Sequence, residues 1–302
     1  MNFRKSDLKG HIAILAANII FGINTPLSRG LIPDTISPYT LNFFRMTGAL
    51  VLFWAVSLFA KKEKVPLKDV LKLFAAGFFG IFINQLPFLV GLSQTSPVDA
   101  SIIITLLPVY SMILAAVILK EPISFKKVAG IVVGAAGVLL LIFHTAAEAV
   151  GSGSLHGNLL IILSGISYAI YLTVFKNLIS KYSPITAMKW MFLFAAILAF
   201  PFCKDSLLRT NFADLGIFTY FQIAYVVIFA TFLSYFLIPI AQKSLRPTLL
   251  SMYNYLQPVI ASCIAIMIGL DNFGWEKVIA GCLVFAGVYL VTRSKARADI
   301  VS

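Results

Sequence analysis

The chain has 302 residues, of which 60% are apolar and only 12% charged, with a mean hydropathy of +0.93 and a formal net charge of +12. A soluble domain carries roughly a quarter charged residues and could not present so apolar a composition to water, while disorder requires low hydrophobicity. What remains is an all-α integral membrane protein, with Cys203, Cys263 and Cys282 too scattered for a disulfide framework or a zinc site.

One bilayer crossing takes about 20 apolar residues in a helix. In chain order such segments fall at 11–31, 38–60, 70–92, 97–119, 126–144, 156–179, 185–202, 217–240, 248–269 and 275–293, which predicts ten transmembrane helices. The apolar runs are continuous rather than alternating, so barrel strands are excluded. The connections are too short for a separate soluble domain. Arg4, Lys5 and Lys9 precede the first segment as in a signal peptide, but its apolar stretch is too long for one.

Lys and Arg mark the cytoplasmic side of a membrane protein. One set of helix ends carries Arg4, Lys5, Lys9, Lys61, Lys62, Lys64, Lys68, Lys120, Lys126, Lys127, Lys176, Lys181, Lys243, Arg246, Arg293, Lys295 and Arg297, 17 in all. The other set carries 4, namely Arg29, Lys204, Arg209 and Lys277. Both termini are therefore expected in the cytoplasm. The basic excess is topological, so the expected macroscopic partner is the lipid bilayer and not nucleic acid.

Residues 97–143 align without a gap on 247–293 at an offset of 150, with about a quarter of positions identical. Pro97 meets Pro247, Ser101 meets Ser251, Pro108 meets Pro258, and Ala136-Gly137-Val138 meets Ala286-Gly287-Val288. Ser37-Pro38 likewise matches Ser183-Pro184. Two five-helix halves follow, 1–145 and 152–302, joined by Gly151-Ser152-Gly153-Ser154. Five is odd, so the halves are expected to be inverted repeats, an arrangement common in secondary transporters.

The pattern Phe21-Gly22-Ile23-Asn24-Thr25-Pro26 with Arg29, Phe44-Arg45, Gln94-Thr95-Ser96-Pro97-Val98-Asp99-Ala100, Leu107-Pro108 and Lys120-Glu121-Pro122 resembles the EamA-type branch of the drug/metabolite transporter superfamily. Ser234-Tyr235, Leu245-Arg246-Pro247 and Gln257-Pro258 repeat that logic in the second half. The likeness covers nearly the whole chain. It implies ten helices with inverted symmetry and export of small metabolites, often amino acids, from bacterial cytoplasm, and leaves the substrate open.

The polar residues narrow the chemistry. All twelve acidic residues fall at helix ends or loops: Asp7, Glu63, Asp69, Glu121 and Asp299 on the lysine-rich side, and Asp34, Asp99, Glu148, Asp205, Asp214, Asp271 and Glu276 on the other. No mid-membrane carboxylate is available as a proton relay or as a site for lipophilic cations. Phosphate ligands would want clustered cations at depth, and only Arg45 qualifies. It serves either a substrate carboxylate or a structural pair with Asp99. Asn24, Asn84, Gln85, Thr105, Tyr168, Tyr171, Tyr225, Ser234, Tyr235, Asn254 and Gln257 lie at mid-depth, where they either bind a neutral or zwitterionic solute or bond helix to helix. The expected substrate-binding set is Asn24, Arg45, Asn84, Gln85, Tyr168, Tyr171, Tyr225, Asn254 and Gln257. Gly130, Gly134 and Gly137 have the spacing of a close helix contact within the fold or of a dimer face.

No catalytic or metal-ligand set occurs at helix depth, and no GxxxxGK[ST] loop is present for ATP. An enzyme, a cofactor and ATP-driven pumping are thus not expected. The expected activity is alternating-access export of small metabolites, foremost amino acids, by a monomer. A multidrug or other small-solute exporter and a channel-like facilitator are the alternatives.

Overall fold

The computed structural model describes residues 5–95, 97–146, 154–267 and 274–294. The Gly151–Gly153 part of the expected linker, the expected outer-side acids Glu148 and Asp271, and Asp299 near the C-terminus lie outside the described residues.

Among the described residues the chain is helical, with no strand. The helices are α1 Lys5–Leu31, α2 Pro38–Ser57, α3 Leu67–Gly77, α4 Ile83–Gln94, α5 Pro97–Ile104, α6 Leu107–Ile118, α7 Phe125–Ala146 and α8 Leu155–Val174. There follow α9 Lys176–Lys181, α10 Pro184–Arg209, α11 Ile217–Tyr225, α12 Ser234–Ser244, α13 Pro247–Met252, α14 Leu256–Met267 and α15 Trp275–Thr292. A π-helical segment, Phe78–Phe82, joins α3 to α4, and a second, Val226–Leu233, joins α11 to α12.

Among the described residues, seven stretches are long and apolar enough to cross a bilayer: Asp7–Ser28, Pro38–Ser57, Leu67–Gln94, Leu155–Val174, Pro184–Arg209, Ile217–Ser244 and Trp275–Thr292. The expected spans at 97–119 and 126–144, and the described part of 248–269, are helical but fall outside that set. Two of them are broken. α5 gives way to α6 at Thr105-Leu106, and α13 gives way to α14 through the 3₁₀ turn Tyr253–Tyr255. Pro108 and Pro258 stand just beyond the two breaks. Each proline lacks an N–H and its ring crowds the carbonyl four residues back, so the helix opens at residues 104–105 and 254–255. The freed backbone is partly re-paired by a side chain: Tyr255 Oη donates to the Thr105 carbonyl at 2.7 Å.

α2 and α10 begin alike, because each starts with Ser-Pro. Ser37 Oγ accepts from the Tyr39 N–H at 3.3 Å and Ser183 Oγ from the Thr186 N–H at 3.2 Å. The proline at the first helical position has no N–H to leave unpaired. The two helices run antiparallel in contact. Thr40 Oγ1 lies 3.0 Å from both Ser206 Oγ and Thr210 Oγ1, and at the other end Phe53 stacks on Phe192 with ring centres 5.4 Å apart. α4 packs on α8, α1 on α12, α6 on α8, and α1 on α14.

α7 and α15 also pack antiparallel, and glycine decides how closely. A Cβ on Gly130 would stand 2.7 Å from the Gly287 carbonyl oxygen, one on Gly137 2.7 Å from that of Ala280, and one on Gly287 2.6 Å from that of Gly130. The small-residue spacing of α7 therefore serves a contact inside the fold.

At the lysine-rich end, Glu63 reaches across to α10. Its carboxylate accepts from the Ser183 N–H at 3.0 Å and from Ser183 Oγ at 2.8 Å, placing a negative charge on the positive end of a helix. Nearby, Asp69 accepts from Lys181 and Tyr182. Lys127 is buried and donates to Glu121 Oε2 at 3.1 Å and the Pro122 carbonyl at 3.0 Å.

Two predictions follow from this packing. Gly287→Leu must separate α7 from α15, and overpacking of this kind costs about 1–3 kcal/mol. Thermal unfolding in detergent should fall for Gly287→Leu and stay near wild type for Gly30→Ala, whose Cβ would meet nothing within 4 Å. For Glu63, partial burial opposes the charged form. Hydrogen bonds from Thr186 and Ser183 and the charge of Lys243 outweigh it and hold the carboxyl below the ordinary glutamate value of 4.5. A lowered folded-state value means that the stabilisation is present above 4.5 and is lost as pH falls through the folded value. Wild-type stability should therefore drop in that acid window more steeply than that of Glu63→Gln; parallel acid profiles would contradict the assignment.

Candidate substrate-binding site

Both π-helical segments end where polar side chains begin. A π turn holds one residue more than an α turn and recurs at functional sites. Phe78–Phe82 is followed by Asn84 and Gln85, and Val226–Leu233 by Ser234 and Tyr235. The second widened segment is held by hydroxyls, with Thr231 Oγ1 donating to the Val226 carbonyl at 2.8 Å and Ser234 Oγ to that of Phe229 at 3.1 Å, each five residues back. Pro87 supplies no N–H to the turn before it, and Ser164 Oγ on α8 donates to the Asn84 carbonyl at 2.6 Å. These hydrogen bonds pair some of the carbonyl groups where the helices open toward a common space.

That space is a cavity of about 140 Å³. Its walls come from α1 (Phe21, Asn24), α2 (Arg45), α4 (Asn84, Gln85, Phe88), α5 (Ile103, Ile104), α6 (Leu107), α8 (Ile161, Ser164, Gly165, Tyr168), α12 (Tyr235), the 3₁₀ turn (Asn254) and α14 (Gln257). The volume is near that of engineered protein cavities that take up one benzene-sized molecule, about 150 Å³. Seven of the nine expected site residues meet here: Asn24, Arg45, Asn84, Gln85, Tyr168, Asn254 and Gln257.

The remaining two do not line the cavity. Tyr171 is fully buried behind Tyr168, with ring centres 5.9 Å apart, and its ring lies on Gly80, where a Cβ would be only 2.5 Å away. Tyr225 instead donates to the Ile20 carbonyl at 3.2 Å, joining α11 to α1. Tyr235 lines the cavity although the expected set lacks it. Its hydroxyl lies 3.2 Å from Asn84 Oδ1. The repeat offset of 150 could have found it, since it pairs Gln85 with Tyr235 and Asn84 with Ser234.

The hydrogen-bond state of each group separates scaffold from free valence. Asn84 Nδ2 donates to Ser164 Oγ at 3.2 Å, and Gln257 Nε2 donates to Asn18 Oδ1 at 2.8 Å and to Asn254 Oδ1 at 2.9 Å. Asn24 Oδ1 accepts from Ser28 Oγ at 3.1 Å. These amides tie helices together. Gln85 differs: it is 3% exposed, and both its amide oxygen and its amide nitrogen are buried without a hydrogen-bond partner. Such a group is costly unless something else pairs it.

Arg45 is the charged group of the site and is 4% exposed. Its Nε donates to Thr231 Oγ1 at 3.1 Å, whose own proton is already committed to Val226. Asp99, the alternative partner from the sequence, lies at the start of α5 and accepts from Asn158 Nδ2 at 3.4 Å. Among the described residues no carboxylate pairs with Arg45. The cavity thus offers one cation with unused donors, one amide with both functions free, and apolar and aromatic walls.

Comparison with known proteins places this architecture. A solved crystal structure of a protein superposes with a TM-score of 0.75 at 20% identity, covering 95% of this chain and 96% of that one, and so shares the fold. A relative named an uncharacterized transporter from Archaeoglobus fulgidus is 29% identical over 260 residues, 86% of this chain and 90% of its own length. The uncharacterized transporter YyaM of Bacillus subtilis is 26% identical over 94% of this chain and 96% of its own length. A WAT1-related protein of Arabidopsis thaliana is 24% identical over 90% of this chain and 74% of its own length. The model of the EamA-like transporter family matches residues 8–143 and again 155–293. With both stretches accounted for and a solute-sized cavity between them, this chain belongs to the EamA-like transporter family and is a multi-pass membrane transporter.

Proposed function

We propose that the protein is a ten-helix secondary carrier built from two inverted five-helix repeats, 1–145 and 152–302, which exports small zwitterionic metabolites from the cytoplasm of a bacterium. Both termini face the cytoplasm, and one chain suffices for transport. The double family match supports two units. Reciprocal contacts support their inversion. If the halves are equivalent, α4 on α8 calls for α12 on α1, and α6 on α8 calls for α14 on α1; both pairs occur. At an offset of 150, Gly130 against Gly287 and Gly137 against Ala280 are one contact read in two directions. The helices concerned are antiparallel, as a two-fold axis in the membrane plane requires.

The observation that carries the substrate class is the pair Arg45 and Gln85. An amino acid brings a carboxylate that a guanidinium can receive in bidentate fashion. Its ammonium can donate to the free oxygen of Gln85, and the amide nitrogen can donate in turn. Phe21, Phe88, Ile103 and Tyr168 offer an apolar or aromatic side chain a matching wall. Phosphorylated solutes would need several cations, and among the described lining residues there is one.

Counterflow in proteoliposomes tests this reading: a series of amino acids should show saturable exchange, best for apolar and aromatic side chains. Gln85→Leu keeps the volume and removes both hydrogen-bonding functions. Loss of such a contact costs about 1–3 kcal/mol, or roughly five- to 150-fold in apparent affinity. Tyr171→Phe deletes a buried hydroxyl that has no partner, so transport should stay at wild-type level and thermal stability should hold or rise. Wild-type affinity in Gln85→Leu, or transport confined to phosphorylated or cationic solutes, would refute the substrate class.

A further inference from the structure

Arg45 raises a question that binding alone does not answer: what becomes of its charge when the site is empty. The guanidinium carries five N–H donors and keeps its proton in proteins. A lysine or a carboxylate could shed its charge by proton transfer during an empty return, but an arginine cannot. Among the described residues its hydrogen bond is to one neutral hydroxyl, Thr231 Oγ1, at 3.1 Å. It is the one charged side chain among the described residues lining the cavity. The second half supplies no matching charge either, because the Ser-Pro starts of α2 and α10 are offset by 146, and that offset carries Arg45 onto the buried Met191.

We propose that this carrier is an obligate exchanger: it passes through its closed intermediate only with a carboxylate on Arg45. Outward movement of one carboxylate solute is then coupled to inward return of another. The inference rests on the site reading above, in which Arg45 receives the substrate carboxylate. Alternating access requires a state in which both ends of the cavity are shut. In that state an unpaired guanidinium is an ion removed from water with no counter-charge, which is strongly unfavourable, and a carboxylate cancels it with two charge-assisted hydrogen bonds. The barrier for the empty carrier is therefore raised and that for the loaded carrier is not.

Two measurements on the full-length protein test this. Proteoliposomes in chloride medium are loaded with radiolabelled L-phenylalanine, and efflux is followed into medium with or without excess unlabelled phenylalanine. Efflux should be roughly tenfold or more faster with the external amino acid, while external phenethylamine, which lacks the carboxylate, should not stimulate it. Equal efflux with and without external phenylalanine would overturn the proposal, and would also show that chloride suffices to neutralise Arg45. Saturable exchange with no net efflux supports both readings; absence of any flux would end the amino-acid reading and leave the second measurement to decide the exchange. That measurement needs no substrate. With Cys203, Cys263 and Cys282 changed to alanine, Ile104→Cys in the cavity wall is labelled by an impermeant thiol reagent from each side of the membrane. In the empty protein the fractions labelled from the two sides should add up to one, since each molecule stays on the side it faces, and the added Arg45→Met change should let each side label the whole population. Complete labelling from each side separately with Arg45 intact would refute obligate exchange.

Discussion

In hydrocarbon every backbone N–H and C=O must find its partner inside the protein, and the shape of this molecule follows from where that rule is met by something other than the helical ladder. Among the described residues, two π-helical segments and the helix breaks beside Pro108 and Pro258 interrupt otherwise regular helices around the site. Hydroxyls of Thr231, Ser234, Ser164 and Tyr255 pair carbonyl groups around these sites. All four irregularities adjoin the walls of one cavity. The irregular backbone is tolerated there because side chains from neighbouring helices satisfy it, and the resulting widening is what makes room for a solute.

Charge obeys the same economy of pairing. Lys127 is buried but has Glu121 and the Pro122 carbonyl. Asp69 has Lys181 and Tyr182, and Glu63 has the N-terminus of α10. Against these satisfied groups, Arg45 with a single neutral partner and Gln85 with none stand apart. Tyr171 also keeps an unpaired hydroxyl, yet it lies outside the cavity wall. An unsatisfied group in a closed core is a cost, whereas the same group facing a cavity is a place for a ligand.

Close helix contacts hold this open region in place. α7 and α15 meet backbone to backbone at Gly130, Gly137 and Gly287, and α2 and α10 are joined by hydroxyls at one end and aromatic rings at the other. Dispersion at such contacts, rather than the hydrophobic effect, drives association in lipid. The tight pairs can thus act as a frame, while the helices that carry π segments and prolines border the site.

Much of this was legible in the chain itself. Composition excludes a soluble protein, and the long apolar runs at 38–60, 70–92 and 217–240 appear as helical stretches that contain or closely match them, because a helix is the local solution to pairing backbone in lipid. Pro108 and Pro258 announce the breaks, since the loss of an N–H is a property of the residue. Seven of the nine expected site residues converge because mid-depth polar groups have few other places to point. What the sequence could not determine is which polar groups satisfy one another. Whether Arg45 meets Asp99 or Thr231, whether Asn84 is spent on Ser164, and whether Tyr168 or Tyr171 faces the cavity all depend on helix rotation and on contacts between residues 80 to 239 positions apart. Those contacts are set by how whole helices pack, so only the tertiary structure could separate the groups that hold the fold from Arg45 and Gln85, whose hydrogen-bonding capacity is left partly or wholly unused.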